Sequence, residues 1–372
     1  MKAAVEAMTK KQFIFLIACY IQGSVLYTMY YYQRIGNEAW ISFIFGTLLG
    51  LLIVAIYGRL CETHRSACLV KLNEEVYGKI PGKILSVLYI YSFLISNSIM
   101  MRQTGQFIAG DLLMETNWIY ILMVLVLVCA WASNSGMRYF ASVAPFTCIA
   151  MYIFTVFLCL LLLPNIDFKH LFPMGQKPVS EYVRSVGLCA AMPFSELSIL
   201  IILVPELKTG EHKTGFWKQF TLGVLVGSPF ILITILRDTL VLGPLLKSFS
   251  YPAYEVIRLI NYNAFAHIET LYGAFLFFLL FFKTAVIFYC FTKAFAQIFG
   301  TQKNIVFTAF IAGLTMLGTQ QIASSNIKLL ELVMTRIPYI LLAIEAVLPL
   351  ITLGVSELRR MGKGKAGEVK CG

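Results

Sequence analysis

The chain has 372 residues, of which 59% are hydrophobic and only 13% charged, with a mean hydropathy of +0.78. A soluble domain carries about twice that charged fraction, and runs of roughly 20 apolar residues recur from end to end, so the composition excludes a soluble globular fold and predicts a polytopic, all-α membrane protein. The net charge of +11 does not point to nucleic acid, because the basic residues are scattered through short loops and the tail, where they act as topology signals and lipid contacts.

Ten apolar spans are predicted, at 12–32, 39–59, 84–107, 118–134, 140–163, 182–206, 217–243, 267–299, 304–322 and 333–356. Basic residues (Lys2, Lys10, Lys11) precede the first, as in a signal peptide. No small-residue cleavage site follows, and the run passes into Tyr-rich sequence, so it reads as a span. The eighth is long enough to tilt or project; the ninth is the weakest, with Gly313 and Gly318 before Gln320 and Gln321. With the N-terminus inside, 19 Lys and Arg fall on the cytoplasmic side, 8 outside, and 3 (Arg102, Arg237, Lys283) within spans. That asymmetry places both termini in the cytoplasm. Tyr27, Tyr30, Tyr31 and Tyr32 are then expected as an interfacial belt at the outer end of span one. A single membrane domain is expected over 1–372, with five spans in 1–163, five in 182–356, and a flexible tail over 357–372 lying near anionic lipid. Cys371 in that tail is not in a prenylation context.

Ten spans divide into five and five, and the first and sixth then run in opposite directions, so a repeat between the halves is inverted. Folds of that kind bind substrate at the midplane, where the first helix of each half is interrupted. Span one carries IQGSVL, with Gln22, Gly23, Ser24 and Val25; span six carries AMPFSEL at matching depth, with Pro193, Phe194, Ser195 and Glu196. Gly23 permits unwinding, which would present the amides of Gly23 to Val25 to a carboxylate. Pro193 has no N–H, so the Cys189 carbonyl loses its partner, and carbonyls 189–192 could accept from an ammonium or a cation. Together the two breaks describe an amino-acid pocket. A small-residue packing contact at Gly23-Ser24 and a plain kink at Pro193 describe the same residues.

Span three supplies SFLISNSIMMRQTGQ. Ser92, Ser96 and Gln103 share a face, with Asn97, Met100 and Met101 beside it; this face either lines a cavity or makes interhelical hydrogen bonds. Arg102, near the outer end, is expected to snorkel. Lys283 lies within LFFLLFFKTAVIF, where an isolated charge costs ~2.5–3.5 kcal/mol on insertion scales and needs a partner or a wet cavity. The mid-span carboxylates are Glu196 and Glu345, while Arg237 and Asp238 read as their own pair. Glu196 is the favoured partner of Lys283, either within a ligand site or as a structural tie between spans six and eight; a lysine facing an internal water path is the other reading. Glu345 reads as a packing or subunit-contact residue.

Of nine cysteines, six lie in spans (Cys19, Cys129, Cys148, Cys159, Cys189, Cys290) and none has metal-ligand spacing, which makes them packing residues. The four histidines are scattered, no Gly-rich phosphate loop precedes a helix, and no nucleophile–base spacing occurs. Neither an enzyme nor a metal or cofactor is expected.

Three stretches then carry a resemblance over nearly the whole chain: TKKQFIFLIACYIQGSVL, MPFSELSILIILVPEL and YPAYEVIRLINYNAFAHIETLYGAFLFFLLFFKTAVIFY. In this order and spacing they resemble the GerAB-type spore germination proteins, the spore permease branch of the amino acid–polyamine–organocation (APC) superfamily. The third is the most specific, with an aromatic-Pro-x-Tyr-Glu-x-x-Arg element from Tyr251 to Arg258, then Glu269 and Lys283. The resemblance implies a LeuT/APC-like 5+5 inverted repeat with discontinuous helices 1 and 6. It implies the membrane-embedded B subunit of a nutrient germinant receptor in the spore inner membrane, sensing amino acids or sugars beside A and C subunits. A proton- or sodium-coupled amino-acid transporter is the alternative within the superfamily. Gly23 and Ser24 match the family's first break, and Pro193, Phe194 and Glu196 its span-six element. Ser195 stands where many relatives have Gly, and 271–282 lacks the Trp that relatives carry before the lysine.

Overall fold

The computed structural model describes residues 8–64, 68–207, 215–260, 267–301 and 305–368, with side chains as far as Arg360. The basic residues Lys2, Arg65, Lys208, Lys213, Lys303 and Lys370 of the topology argument, and Cys371, lie outside the described residues. Helix α1 (Lys10–Gln22) starts at a reciprocal cap: the Gln12 amide donates to Thr9 Oγ1 at 3.3 Å and the Thr9 amide to Gln12 Oε1 at 2.9 Å. Two amides that a helix start leaves orphaned are thereby satisfied. After a 3-10 turn at Val25–Tyr27 comes α2 (Thr28–Ile35). The chain reverses at Gly36, whose φ of +72° disfavours any side chain, and returns as α3 (Ala39–Thr63). Without that reversal the apolar stretch Lys10–Thr63, 54 residues, would run about 80 Å against a hydrocarbon core of ~30 Å. Tyr31 and Phe43, on opposite sides of the turn, have ring centroids 6.0 Å apart.

The order continues through α4 (Leu69–Tyr77), α5 (Lys79–Phe107), α6 (Trp118–Ser135), α7 (Met137–Leu161) and α8 (Val179–Cys189). A π turn (Ala190–Phe194) and a 3-10-wound stretch (Ser195–Glu206) extend α8 across the membrane. Then follow α9 (Phe216–Leu242), α10 (Pro252–Arg258), α11 (Ile268–Phe299), α12 (Ile305–Gln321), α13 (Asn326–Thr335), α14 (Ile337–Leu341) and, past a π turn at Leu342–Val347, α15 (Leu348–Glu368). Among the described residues, eight helical stretches are long and apolar enough to cross a membrane, and a bent pair makes nine. Counting the reversal at Gly36 as two passes gives the ten crossings that the sequence predicts.

The differences lie at the ends. α12 and α13 meet at a 91° bend, because Ser325 caps a new helix by accepting from the Lys328 amide. The tenth crossing therefore begins at Ile337 and not at 333. Two inter-span loops contain the short helices α4 and α10, and α15 runs on to Glu368, into the segment expected to be a flexible tail.

α1 from Leu16 onward, the 190–204 stretch and much of α11 are buried, whereas α6 and α7 turn residues such as Trp131 and Phe146 outward toward lipid. Close approach of α1 and α9 depends on small residues: a Cβ at Gly223 would lie 2.5 Å from Ile17 Cβ, and one at Gly227 2.9 Å from the Ala18 carbonyl oxygen. The inner layer is thus built around the two interrupted crossings.

Candidate functional site

The sixth crossing is broken at Met192, whose φ of −128° and ψ of 103° are extended backbone inside a helix. The carbonyls around the break are taken by the chain itself. Ala190 O accepts from the Ser195 amide, Ala191 O from Ser195 Oγ at 2.9 Å, and Met192 O from the Tyr31 hydroxyl. The expectation that carbonyls 189–192 stand open for a cation is corrected at 190–192, because these donors satisfy groups that would otherwise be costly in a dry interior. Phe194 packs into α3, its Cγ 2.5 Å from where a Cβ of Gly50 would stand and its ring 5.8 Å from Phe43.

The first crossing is interrupted less deeply. Gly23 has φ −64° and ψ −5°, its amide donates to Cys19 O at 2.9 Å, and the Ser24 amide to Ile21 O at 2.9 Å. These two amides close tight turns and are not presented to a carboxylate, which corrects that part of the sequence reading. What Gly23 supplies is room: a Cβ there would lie 2.7 Å from Lys283 Cβ and 2.8 Å from Leu279 O. Its missing side chain lets α11 bring a lysine against the break.

Lys283 Nζ stands 2.7 Å from Glu196 Oε2 and 2.7 Å from Ser24 Oγ, donating to both. It also lies 4.2 Å from the ring centroid of Tyr27 and 4.7 Å from that of Tyr20. Glu196 Oε1 accepts from the Tyr27 hydroxyl at 3.0 Å. Lys283 is 0% and Glu196 1% exposed, and burying two ions costs several kcal/mol each unless geometry and further hydrogen bonds compensate. Here Ser24 and Tyr27 complete the pair, and two aromatic faces contribute roughly 0.5–2 kcal/mol each. One side chain of α11 thereby joins both broken crossings.

A second carboxyl adjoins this cluster. Ser195 Oγ also donates to Glu345 Oε2 at 3.1 Å, and the Tyr57 hydroxyl reaches the carbonyls of Ser195, at 2.9 Å, and of Glu345. Glu345 is 0% exposed, so it does not sit on a subunit-contact surface. Its separation from residue 196 in sequence hid this neighbourhood, as it hid Tyr20 and Tyr57.

Other sequence candidates are placed elsewhere. Gln22 turns to α7, with Nε2 3.4 Å from Cys148 Sγ, and Asn97 donates to Thr315 Oγ1 of α12 at 3.2 Å. Both make interhelical contacts and neither bonds to the Lys283 cluster; successive residues of a helix step about 100° around its axis, so neighbours in sequence point apart. Ser96 and Met101 are buried in α5, and Val25 opens the 3-10 turn after Ser24. The four tyrosines of the expected interfacial belt are at most 1% exposed. Three of them instead place hydroxyls on Glu196, Met192 O and Asp238 Oδ2. Arg102 does not snorkel: the bend after α12 carries the Ala323 carbonyl to 2.7 Å from it, and its guanidinium lies 5.1 Å from the Trp118 ring.

Ties close the cluster off at both ends. At the end where α2, α9 and α10 meet, Arg237 Nη2 is 2.7 Å from Asp238 Oδ1 and donates to Ala253 O of α10 at 3.0 Å, while Tyr32 bonds Asp238 at 2.9 Å. At the opposite end, Lys293 Nζ lies 2.5 Å and Tyr289 Oη 2.6 Å from Glu206 Oε1, and the Met8 amide donates to Glu206 O at 3.0 Å. A cavity of about 560 Å³ lined by Trp131, Tyr139, Phe140, Phe278 and Phe281 lies on the lipid side, apart from these groups. Among the described residues no cluster of three or more His, Cys, Asp or Glu is placed to hold a metal.

Residues 7–327 match the model of a protein family described as spore germination protein. Spore germination protein KB of Bacillus subtilis (strain 168) is 22% identical over 201 residues, 53% of this chain and 53% of that protein. Spore germination protein YndE of the same organism is 22% identical over 237 residues, 61% of each. The chain thus spans between half and two thirds of the length of the curated relatives it matches. Among solved structures, the nucleobase-cation-symport-1 family transporter Mhp1, closed with bromovinylhydantoin bound, aligns at a TM-score of 0.60 with 10% identity, covering 88% of this chain and 75% of that one. The Eremococcus coleocola manganese transporter aligns at 0.57 with 12% identity (94% and 84%), and a Na+-coupled sialic acid symporter at 0.58 with 9% identity (89% and 78%). At such identities the likeness is one of fold, and that fold is the LeuT-like arrangement of helical membrane transporters.

Proposed function

Because the chain belongs to the spore germination protein family, we propose that it is the membrane-embedded nutrient-sensing subunit of a germinant receptor, with the nutrient bound where Lys283 joins the two broken crossings. The observation that carries this reading is the buried Lys283–Glu196 pair seated on Ser24 and Tyr27. An α-amino acid is itself a zwitterion. Its carboxylate can take the place of Glu196 on Lys283, and its ammonium the place of Lys283 on Glu196, so neither buried charge is left alone. A neutral sugar offers no such exchange, which favours an amino acid. Gly23 gives Lys283 its room; Gln22 and Val25 belong to the first break, Pro193, Phe194 and Ser195 to the second, and Ser96, Asn97 and Met101 to α5.

Such a ligand acts as a signal only by binding one conformation more tightly than another. On this reading the ties at the two ends are what change, and partner A and C subunits read the change in the spore inner membrane, with both termini cytoplasmic. No nucleic acid and no catalysis are involved. The test is a thermal-shift screen of amino acids and sugars on the purified full chain, paired with germination of a deletion strain carrying each variant. An amino acid at 100 times its Kd is expected to stabilise the protein by about 2.7 kcal/mol and to lose that effect in Glu196→Gln. Equal stabilisation of the variant would sink the placement. The fold shared with transporters favours a second reading, proton- or sodium-coupled amino-acid transport; counterflow of labelled amino acid in proteoliposomes, beyond binding stoichiometry, would establish it over pure sensing.

A further inference from the structure

Glu345 is a charged-type side chain that the nutrient reading leaves unused. It lies in the π turn Leu342–Val347 that interrupts the last crossing; such turns are rare and concentrate at functional sites. Its side chain is fully buried, Oε2 accepts from Ser195 Oγ at 3.1 Å, Oε1 has no partner at hydrogen-bond geometry among the described residues, and the Ser92 hydroxyl of α5 also faces the carboxyl. The titratable groups around it are Tyr20 of α1, Tyr57 of α3, Tyr89 of α5, Glu196 of the broken sixth crossing and Lys283 of α11. One of these is a cation, and Glu196 already matches its charge at 2.7 Å. An ionised Glu345 would add an unmatched negative charge beside a second carboxylate, closed off from solvent. A neutral carboxylic acid fits the contacts, with Oε2 as the carbonyl oxygen that accepts from Ser195 and Oε1 as the hydroxyl.

We propose that Glu345 is a proton-binding site, loaded in this closed arrangement and emptied when the broken sixth crossing moves. The two are mechanically joined. Ser195 Oγ is shared between Ala191 O, at 2.9 Å, and Glu345 Oε2, and Tyr57 spans the carbonyls of residues 195 and 345. Displacing Ser195 with the sixth crossing opens the buried carboxyl to water, which can solvate its charge; the O–H bond breaks, the proton passes to water, and a carboxylate remains. By linkage, whatever drives that movement changes proton occupancy, and proton occupancy changes the ease of the movement.

The assignment does not rest on nutrient binding, and its test uses no nutrient. Infrared spectra of the full chain in lipid nanodiscs, titrated with pH, are expected to show the carbonyl stretch of a protonated carboxylic acid persisting at neutral pH. That band is expected to vanish in Glu345→Gln and to shift, without vanishing, in Glu345→Asp. Absence of the band in the unmodified protein at neutral pH, or its survival unchanged in both variants, overturns the proposal. So does an ionised Glu345 in a protein whose melting temperature rises with sodium chloride but not with choline chloride, which would make the site one for a metal cation.

Discussion

At the scale of single residues, the mid-span charges were the most legible feature of the sequence. A lysine inside LFFLLFFKTAVIF must be compensated, and Glu196 was one of two mid-span carboxylates; the structure sets their charged atoms 2.7 Å apart. The rings that surround the lysine were not legible. Tyr20 and Tyr27 read as ordinary aromatic residues of an apolar span, and only the approach of α11, permitted by Gly23, turns their faces to an ammonium. The pair yields a test of its own. Replacing either partner with Ala strands the other charge in a site with no exposure, at a cost of about 3–5 kcal/mol. The double exchange Glu196→Lys/Lys283→Glu restores opposite charges, and Ser24 and Tyr27 can each serve as donor or acceptor. It still loses the ammonium from between the two rings. Melting temperatures of purified variants are therefore expected to rank wild type, then the exchange, then either single replacement. An exchange no more stable than the single variants would mean that the pair contributes nothing as a pair.

At the scale of elements, Pro193 marked the break in the sixth crossing, because an absent N–H is a property of one residue and needs no tertiary context. What fills the break comes from far away in the chain: the hydroxyl on Met192 O belongs to Tyr31, 161 positions earlier. No local pattern encodes that partnership, and an interfacial belt was the natural reading of clustered tyrosines. The polar run TQQIASSN marked the end of the ninth span, but the direction the chain takes after α12 depends on a serine cap and a short loop and was hidden by the same limit. If Tyr31 holds the break open, Tyr31→Phe leaves a buried carbonyl unpaired at about 1–3 kcal/mol. Its effect is expected to be local, raising amide hydrogen exchange over 190–196 more than over α9. Uniform exchange along both elements would assign Tyr31 to general packing.

At the scale of the whole molecule, ten crossings were legible because apolar length is set by bilayer thickness and not by partners. Which conformation they adopt was not legible, and the two ends now make it arguable. The Arg237 tie is buried: Arg237 and Asp238 are 2% and 0% exposed in their side chains and are joined to Tyr32 and α10. The Lys293 tie is half open, with Lys293 and Glu206 at 23% and 28%. A buried pair that loses one partner costs about 3–5 kcal/mol, whereas a pair with solvent access is worth ~0–1 kcal/mol. The closed arrangement therefore yields more readily at the Lys293 end. Asp238→Asn, which strands the Arg237 guanidinium, is expected to lower the melting temperature substantially. Lys293→Ala is expected to leave melting nearly unchanged while accelerating amide exchange at the C-terminal end of the sixth crossing, from Ile199 to Leu207, where Glu206 loses its cation and Met8 loses a firm anchor. Exchange that stays slow there, or that rises first near Tyr32 and α10, would reverse the order in which the two ends open.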